Sequence, residues 1–264
     1  QICRQDNKKK GIKPHKSQYW LFPKIPCWNS FKKRVEMICS LILFYISIDS
    51  ESDYLYSVDE KTGIQAKEFK ELIPQKEGDI KKMEFEYTRH GTTCLTAALN
   101  VSTGKIDHYI MEQTRTEEDF VKYISSICQS KGQKCKITFL IDQLNTHKSA
   151  GLVKWVAQQI GYTSSLGNKG KEGILKSQES RMAFLESTNH RIRFVYTPKH
   201  CSWLNPIENW FSKLQKQRLR NTSFNSVKEL EDAITKYISY ANIWNAKKLK
   251  WVFSGFFKQN PIAC

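Results

Sequence analysis

Three acidic residues stand where one kind of segment gives way to another, and together they have the donor chemistry of a metal site. Asp59 follows the short apolar run 54–58, Asp142 follows the continuous apolar run 136–141, and Glu208 lies three residues after Asn205 at the start of a helical pattern. A carboxylate at the C-terminal end of a strand points into the crevice where open α/β sheets keep their sites. Three carboxylates meeting there repel one another unless cations sit between them. Oxygen donors select hard ions such as magnesium or manganese. Two such ions about 3.5–4 Å apart form the clamp used in in-line phosphodiester chemistry. Each acid also has a plain structural reading. Asp59 or Glu60 suits an exposed loop, and Asp142, with Asn145 and His147, suits the cap of the next helix. Glu208 suits a capping box with Asn205, with Pro206 at the first helical position.

The chain that carries these acids is strongly basic. It has 42 Lys and Arg against 26 Asp and Glu, a net charge of +16 over 264 residues. Such an excess points to a polyanionic partner, nucleic acid first and an anionic membrane surface second. Residues 1–34 hold ten basic side chains and one acid, a local balance of 10 − 1 = +9. Pro14, Pro23 and Pro26 break that stretch, so it is not one long helix. It reads equally as a solvated tail or as a nucleic-acid-binding arm, with Lys8, Lys9, Lys10, Lys13 and Lys16 as candidate phosphate contacts. A second basic run, Lys213, Lys216, Arg218 and Arg220, has no acid between Phe211 and Phe224. It suits a phosphate track or a solvated helix face.

Other chemistries find no support. There is no G-x-S-x-G and no H-E-x-x-H, and none of the eight cysteines forms a C-x-x-C pair. The cysteines therefore read as free thiols in a reducing compartment rather than zinc ligands. Gly167, Gly170 and Gly173, in the company of Lys169 and Lys171, miss the P-loop pattern because Ser165 stands where its first glycine belongs; they read as a basic loop. The apolar run 37–48 is shorter than the roughly 20 residues a membrane span needs and reads as a buried helix. A mean hydropathy of −0.55 suits a soluble globular protein. Opening on Gln1 rather than Met, the chain reads as a fragment.

These residues must be positioned by an α/β fold. Phe31, Val35, Ile38, Ile42 and Tyr45 recur at helical spacing. Strands are expected at 54–58, 94–99 and 106–110, the last two joined as a hairpin through the turn at 100–105. A helix follows from Thr116, with Glu117, Glu118 and Asp119 in its first turn. Next come a strand at 136–141, a helix at 150–160, a loop at 161–173 and a strand at 194–196. A helix starts near Asn205 and Pro206, and a last helix starts at Ser226, where Ser226 and Glu229 match a capping box. This order predicts a mixed sheet covered by helices on both faces.

The motifs around the three acids resemble those of the insertion-sequence transposases in the mariner superfamily, in the IS six-thirty branch. Val58-Asp59-Glu60-Lys61-Thr62-Gly63 resembles the first-aspartate motif. Leu140-Ile141-Asp142, followed by Leu144-Asn145-Thr146-His147-Lys148, resembles the second. Tyr196-Thr197-Pro198-Lys199-His200, with Ser202-Trp203-Leu204-Asn205 and Glu208, resembles the glutamate motif. Glu86-Tyr87-Thr88-Arg89-His90-Gly91 and Gly11-Ile12-Lys13-Pro14 resemble further blocks of the family. The resemblance implies an α/β ribonuclease-H-like fold, with a mixed five-stranded sheet flanked by helices and a basic N-terminal extension. It implies a triad of Asp59, Asp142 and Glu208 on two magnesium ions, with manganese as a substitute. It also implies cut-and-paste transposition of double-stranded DNA, at transposon ends and a target, by an intracellular protein, a homodimer in its active complex, with no membrane partner. Gln143, Asn145 and His147 would lie near the metals or the scissile phosphate, and His200 and Trp203 would position the glutamate helix or contact DNA. The expected division is a basic region at 1–30, a connecting helix and linker at 31–52, the catalytic domain at 53–245 and a tail at 246–264. Two features depart from the branch: Gln143 stands where asparagine is usual, and no room remains before Gly11 for helix-turn-helix modules. The rivals are a DNA-binding remnant without activity and a nuclease on the same fold.

Overall fold

The computed structural model describes residues 27–48, 50–70, 77, 78, 86–114 and 116–253. The basic region carrying Lys8, Lys9, Lys10, Lys13 and Lys16 lies outside them. Five strands form one sheet: β1 (Asp53–Phe69), β2 (Tyr87–Asn100), β3 (Ile106–Glu112), β4 (Lys136–Ile141) and β5 (Ile192–Tyr196). Their spatial order is β3-β2-β1-β4-β5. β1, β2 and β3 pair antiparallel, whereas β4 runs parallel to both β1 and β5. Among the described residues six α-helices cover the sheet: α1 (Trp28–Ser47), α2 (Glu117–Lys131), α3 (Ala150–Gln159), α4 (Gln178–Leu185), α5 (Ile207–Leu214) and α6 (Val227–Tyr240). This is the mixed five-stranded, helix-flanked sheet that the order of segments predicts.

Strand alternation decides which helix packs where, because successive side chains point to opposite faces. Tyr56, Phe139, Ile141, Phe194 and Tyr196 face one way and bury against Ile124 and Ile127 of α2, Leu152 and Val156 of α3, and Leu185 of α4. Leu55, Leu140 and Val195 face the other way and meet Val35, Ile38 and Ile42 of α1. Beside them Leu95, Ala97 and Leu99 of β2 receive Trp210 and Phe211 of α5 and Leu230 and Ile234 of α6. β4 is covered on both faces, which is why its sequence is a continuous apolar run rather than an alternating one.

Helix ends follow local chemistry. Thr116 caps α2 in a full capping box with Asp119. Ser226 caps α6 by accepting from the Glu229 amide, while Glu229 turns to the amide of Asn225, so only half of the expected box forms. Between Gly161 and Gly173 no helix or strand forms, in line with the expected loop. The six described cysteines, Cys27, Cys39, Cys94, Cys128, Cys135 and Cys201, are free thiols. Among the described residues no helix is long and apolar enough to cross a membrane.

Two strands are much longer than expected: β2 begins at Tyr87 rather than at residue 94, and β1 runs on past its expected end. β1 does not stop at Val58 but continues to Phe69, so Asp59 lies inside a strand and not at its end. Beyond Ser57 the strand has lost β4 and keeps only β2, so its outer side chains meet solvent and its sequence turns polar. A register shift between Lys61 and Ile64, with Gly63 at a φ of +64°, hides the remaining alternation of Ile64 and Ala66.

Candidate active site

Parallel pairing sets the first two acids side by side. β1 and β4 pair from Asp53↔Lys136 to Ser57↔Leu140, a constant offset of 140 − 57 = 83. Asp59 and Asp142 are separated by the same 83 residues, so continuing the register sets them level, just past the last paired residues. Neighbouring strands lie about 4.8 Å apart, and the two carboxylates therefore share one rim of the sheet.

A buried latch brings the third acid to the same rim. The amide nitrogen of Asn205 donates to the Val58 carbonyl at 3.0 Å and to Asp59 Oδ2 at 3.1 Å, while its oxygen accepts from the Ser57 hydroxyl. The Ile207 amide, first in α5, donates to Ser57 Oγ at 2.9 Å. Ser57 and Asn205 are 0% and 1% exposed, so water does not compete for these bonds. The N-terminus of α5 is thus bonded directly to β1 next to Asp59, and Glu208 comes with it. Asn205 is therefore not the expected capping partner of Glu208. Pro206 is the residue before the helix, and no side-chain hydrogen bond caps α5. Asn205→Ala leaves the buried Ser57 hydroxyl without its acceptor and takes a donor from the half-buried Asp59, and is expected to cost about 1–3 kcal/mol. Chemical denaturation measures this; a loss below about 0.5 kcal/mol, the size of an ordinary surface change, would show that the latch carries little.

The other expected neighbours of the site divide by role. His147 is fully buried between two acids: Nδ1 meets Asp142 Oδ1 at 2.7 Å and Nε2 meets Glu60 Oε1 at 3.0 Å. Its backbone carbonyl accepts from the Tyr196 hydroxyl at 2.7 Å, and its ring packs on Phe120. Burial by itself lowers the His147 pKa, but the hydrogen bonds and charges of Asp142 and Glu60 outweigh it and raise the imidazole to about 9. Gln143 donates to the Thr197 carbonyl at 3.0 Å, tying the end of β4 to the end of β5. Asn145 is exposed and accepts from Gln178 of α4. The expected helix-capping role of Asp142 falls to Ser149, which accepts from the Leu152 amide, whereas Asp142 accepts from the Leu144 amide. Lys213, Lys216 and Arg220 are exposed and Arg218 half-buried, along α5 and the π turn Gln215–Leu219 that extends it.

Sequence reasoning missed Lys61, Glu60 and the latch. Lys61 lies close enough to Glu208 for each charge to act on the other. Burial lowers the Lys61 ammonium and Glu208 raises it; burial raises the Glu208 carboxyl, Lys61 lowers it and Asp142 raises it further. Glu60, Lys61 and Asn205 stand inside the quoted motifs, but nothing in the motifs gives them these roles, because a latch between positions 57 and 205 exists only once β1 and α5 are adjacent.

Electrostatics state what the rim does. Burial lifts Asp59 to about 7 against the pull of the Glu60 amide, and the charges of Asp142, Glu208 and Glu60 add to the rise. Asp59, Asp142 and Glu208 therefore act on one another as a single acidic cluster. Among the described residues no group of three or more His, Cys, Asp or Glu is drawn tightly enough to hold a metal ion as it stands. The donor chemistry nonetheless fits a hard divalent cation: the donors are carboxylate oxygens, and their mutual repulsion is what such a cation relieves.

The family model described as "DDE superfamily endonuclease" matches residues 54–231, which span β1 to α6 and contain all three acids. The fold is similar to that of the Mos1 mariner paired end complex with Mn, at 12% identity and a TM-score of 0.52, covering 90% of this chain and 62% of that one. It is equally similar to the paired end complex with Mg, at 12% identity and a TM-score of 0.51, covering 90% and 63%. A pre-cleavage Mos1 transpososome matches at 11% identity and a TM-score of 0.50, with the same coverage. This chain spans about three fifths of the length of those chains. No curated protein matches it. By the family match over β1 to α6, the chain belongs to the DDE superfamily endonucleases.

Proposed function

We propose that this chain is the catalytic part of a transposase of the mariner superfamily, in the insertion-sequence (IS six-thirty) branch, acting through Asp59, Asp142 and Glu208. One observation carries the reading. The β1–β4 register and the Ser57–Asn205–Ile207 latch bring three acids, 83 and then 66 residues apart in sequence, to one rim of the sheet, where each feels the others' charge. Asp59 and Asp142 would flank two magnesium or manganese ions and Glu208 would complete the second site. Those ions, when bound, supply charge stabilisation at the phosphate and an activated nucleophile. The rest is done by the chain. Asn205 holds one Asp59 oxygen in place, and His147 fixes Asp142 while neutralising Glu60. Gln143 keeps the β4 and β5 ends together. The reaction is hydrolysis of a phosphodiester at a transposon end, then attack of the freed 3′ hydroxyl on target DNA. The Mn, Mg and paired-end complexes of Mos1 support divalent metal and DNA ends as its partners.

The division of the chain follows: a basic region at 1–30, a connecting helix and linker at 31–52, the catalytic unit at 53–245 and a tail at 246–264, in an intracellular protein that pairs as a homodimer when active. Lys8, Lys9, Lys10, Lys13 and Lys16, with Lys213, Lys216, Arg218 and Arg220, would track phosphates. The test of the reading is strand cleavage of duplex DNA carrying transposon-end repeats, with magnesium and with chelator; cleavage indifferent to chelator would contradict it. A salt titration tests the basic arm. Lys8, Lys9 and Lys10 changed together to Ala are expected to weaken binding to two unrelated duplexes alike. The same change should flatten the slope of log affinity against log salt by up to about 2.7, at 0.9 per lost phosphate contact. An unchanged slope would remove the arm from the interface.

A further inference from the structure

The run Lys247-Lys248-Leu249-Lys250-Trp251 has no part in the account above, yet it is bound to the fold beside Glu208. Leu249, Trp251 and Phe253 alternate and pack against the core, with Leu249 touching both the α5/α6 cluster and the α1 cluster. Lys247 and Lys248, before Leu249, and Lys250, between Leu249 and Trp251, are exposed. The backbone at Lys247 crosses the β2–β3 turn so closely that a Cβ on Gly104 would come 2.1 Å from the Lys247 carbonyl oxygen. The segment is thus a strap laid across the protein, carrying three cations.

Between the strap and α5 lies a cavity of about 510 Å³. Its lining includes Trp203, Asn205, Glu208, Lys213, Lys248 and Trp251, and Glu208 is the only acid among all the lining residues. Four lysines line it, counting Lys247 and Lys250. The cavity reaches the active site, since its lining includes Asn205 of the latch and Glu208. Trp203 is 48% exposed, and its ring meets Phe253 edge-on, with centroids 5.2 Å apart, so the strap backs the indole. A large exposed aromatic is costly to leave in water, whereas every nucleobase has a face that stacks on it. The volume lies within the roughly 300–1,000 Å³ that holds a small ligand, so the cavity admits a nucleotide but not a duplex.

We propose that this cavity takes the unpaired end of a nucleic-acid strand. Trp203 stacks one base, and Lys213, Lys247, Lys248 and Lys250 neutralise the phosphates on either side of it, so that the adjoining phosphodiester is presented to Glu208 and Asp59. The proposal rests on the reading of Asp59, Asp142 and Glu208 as a nucleic-acid-cleaving site. It adds a base-stacking residue and gives the C-terminal strap a role in binding substrate. Charge drives the association and the indole supplies a sequence-tolerant grip, as in other single-strand sites.

The test is fluorescence anisotropy with the full chain in chelator, which prevents cleavage. One probe is a labelled blunt duplex, and the other is the same duplex with a short oligothymidine tail. The tail is expected to tighten binding about tenfold, the scale of one stacked base. Trp203→Ala is expected to abolish the difference between the two probes, and Trp203→Phe, which keeps an aromatic face, to retain most of it. Lys247, Lys248 and Lys250 changed together to Ala are expected to lower the salt slope for the tailed probe by about 2, at 0.7 per lost single-strand contact. These three side chains are exposed, so this variant decides the matter even if Trp203→Ala fails to fold. A tail that adds nothing to wild-type binding, or a gain and a slope untouched by these variants, would overturn the proposal while leaving the cleavage reading standing. No binding to either probe at low salt would overturn both.

Discussion

Asp59→Asn is expected to abolish metal-dependent strand cleavage, by at least about a thousandfold, and at the same time to make the metal-free protein more stable above pH 7. The two effects have one cause. Asp59 sits half-buried in the field of Asp142, Glu208 and Glu60, and its carboxyl is raised from 3.8 to about 7, chiefly by desolvation. A group whose folded pKa exceeds its unfolded one binds more protons when folded, so stability falls as pH rises between the two values. For Asp59 that window runs from about 4 to about 7. Above it the ionised carboxylate costs roughly 4 kcal/mol, taking about 1.4 kcal/mol per unit. The asparagine carries no charge and escapes the cost, but it cannot accept from both the Glu60 amide and Asn205, a loss of about 1 kcal/mol. A net gain of several degrees in Tm at pH 8 follows, shrinking as pH falls toward 4. Removing several kcal/mol of charge stabilisation from a metal-assisted step costs a decade of rate per 1.4 kcal/mol. Thermal melts at pH 5 and pH 8 in chelator, beside cleavage in magnesium, check both halves. An active variant, or one less stable than wild type at pH 8, would remove Asp59 from the acidic cluster.

His147→Ala has the opposite signature and is expected to be the most destabilising single change at the rim. The imidazole lies between Asp142 and Glu60 with its side chain fully buried, and the Glu60 side chain is only 5% exposed. Deleting the cation removes the buried ion pair from the Glu60 carboxylate, a loss of about 3–5 kcal/mol. At about 2–4 °C per kcal/mol this lowers Tm by about 6–20 °C at pH 6. Here the folded pKa, about 9, lies above the free value of 6.5. The stabilisation is therefore complete below pH 6.5 and fades as pH rises through 9. Wild type and variant should converge on that side. The Asp59 window ends near pH 7, so melts at pH 5, 7 and 9 separate the two groups. A variant melting within a degree of wild type at pH 6 would show that Glu60 needs no cation.

Much of this arrangement is legible in the sequence because its causes are local. The doubly covered β4 is a continuous apolar run, and the α2 capping box needs only Thr116 and Asp119. The apolar face of α1 repeats at helical spacing. What the sequence hides depends on pairing. β1 reads as a five-residue strand because beyond Ser57 it has one partner strand instead of two, and a register shift at Gly63 scrambles its alternation. The 83-residue spacing of the aspartates becomes a register offset only once β1 and β4 are known to run parallel. Asn205 looks like a helix cap, since asparagine before Pro-x-Glu suits one. It serves instead as the bond between β1 and α5 because Ser57 lies beneath it. The strap at 246–253 carries charges that suggest a free tail; its alternating Leu249, Trp251 and Phe253 are the signal that it packs.

The central claim is that Glu208 acts with Asp59 and Asp142 on a metal rather than serving its helix. Glu208→Gln tests it most directly, because glutamine keeps the shape of the side chain and gives up only the charge. Cleavage of a labelled duplex in magnesium is measured for wild type, Glu208→Gln and Glu208→Ala, each with a thermal melt. The account predicts that Glu208→Gln melts at least as high as wild type and cleaves at least about a hundredfold more slowly, taking about 2.7 kcal/mol of lost charge stabilisation. Near-normal cleavage by Glu208→Gln, with only Glu208→Ala impaired and through a lower Tm, would contradict it.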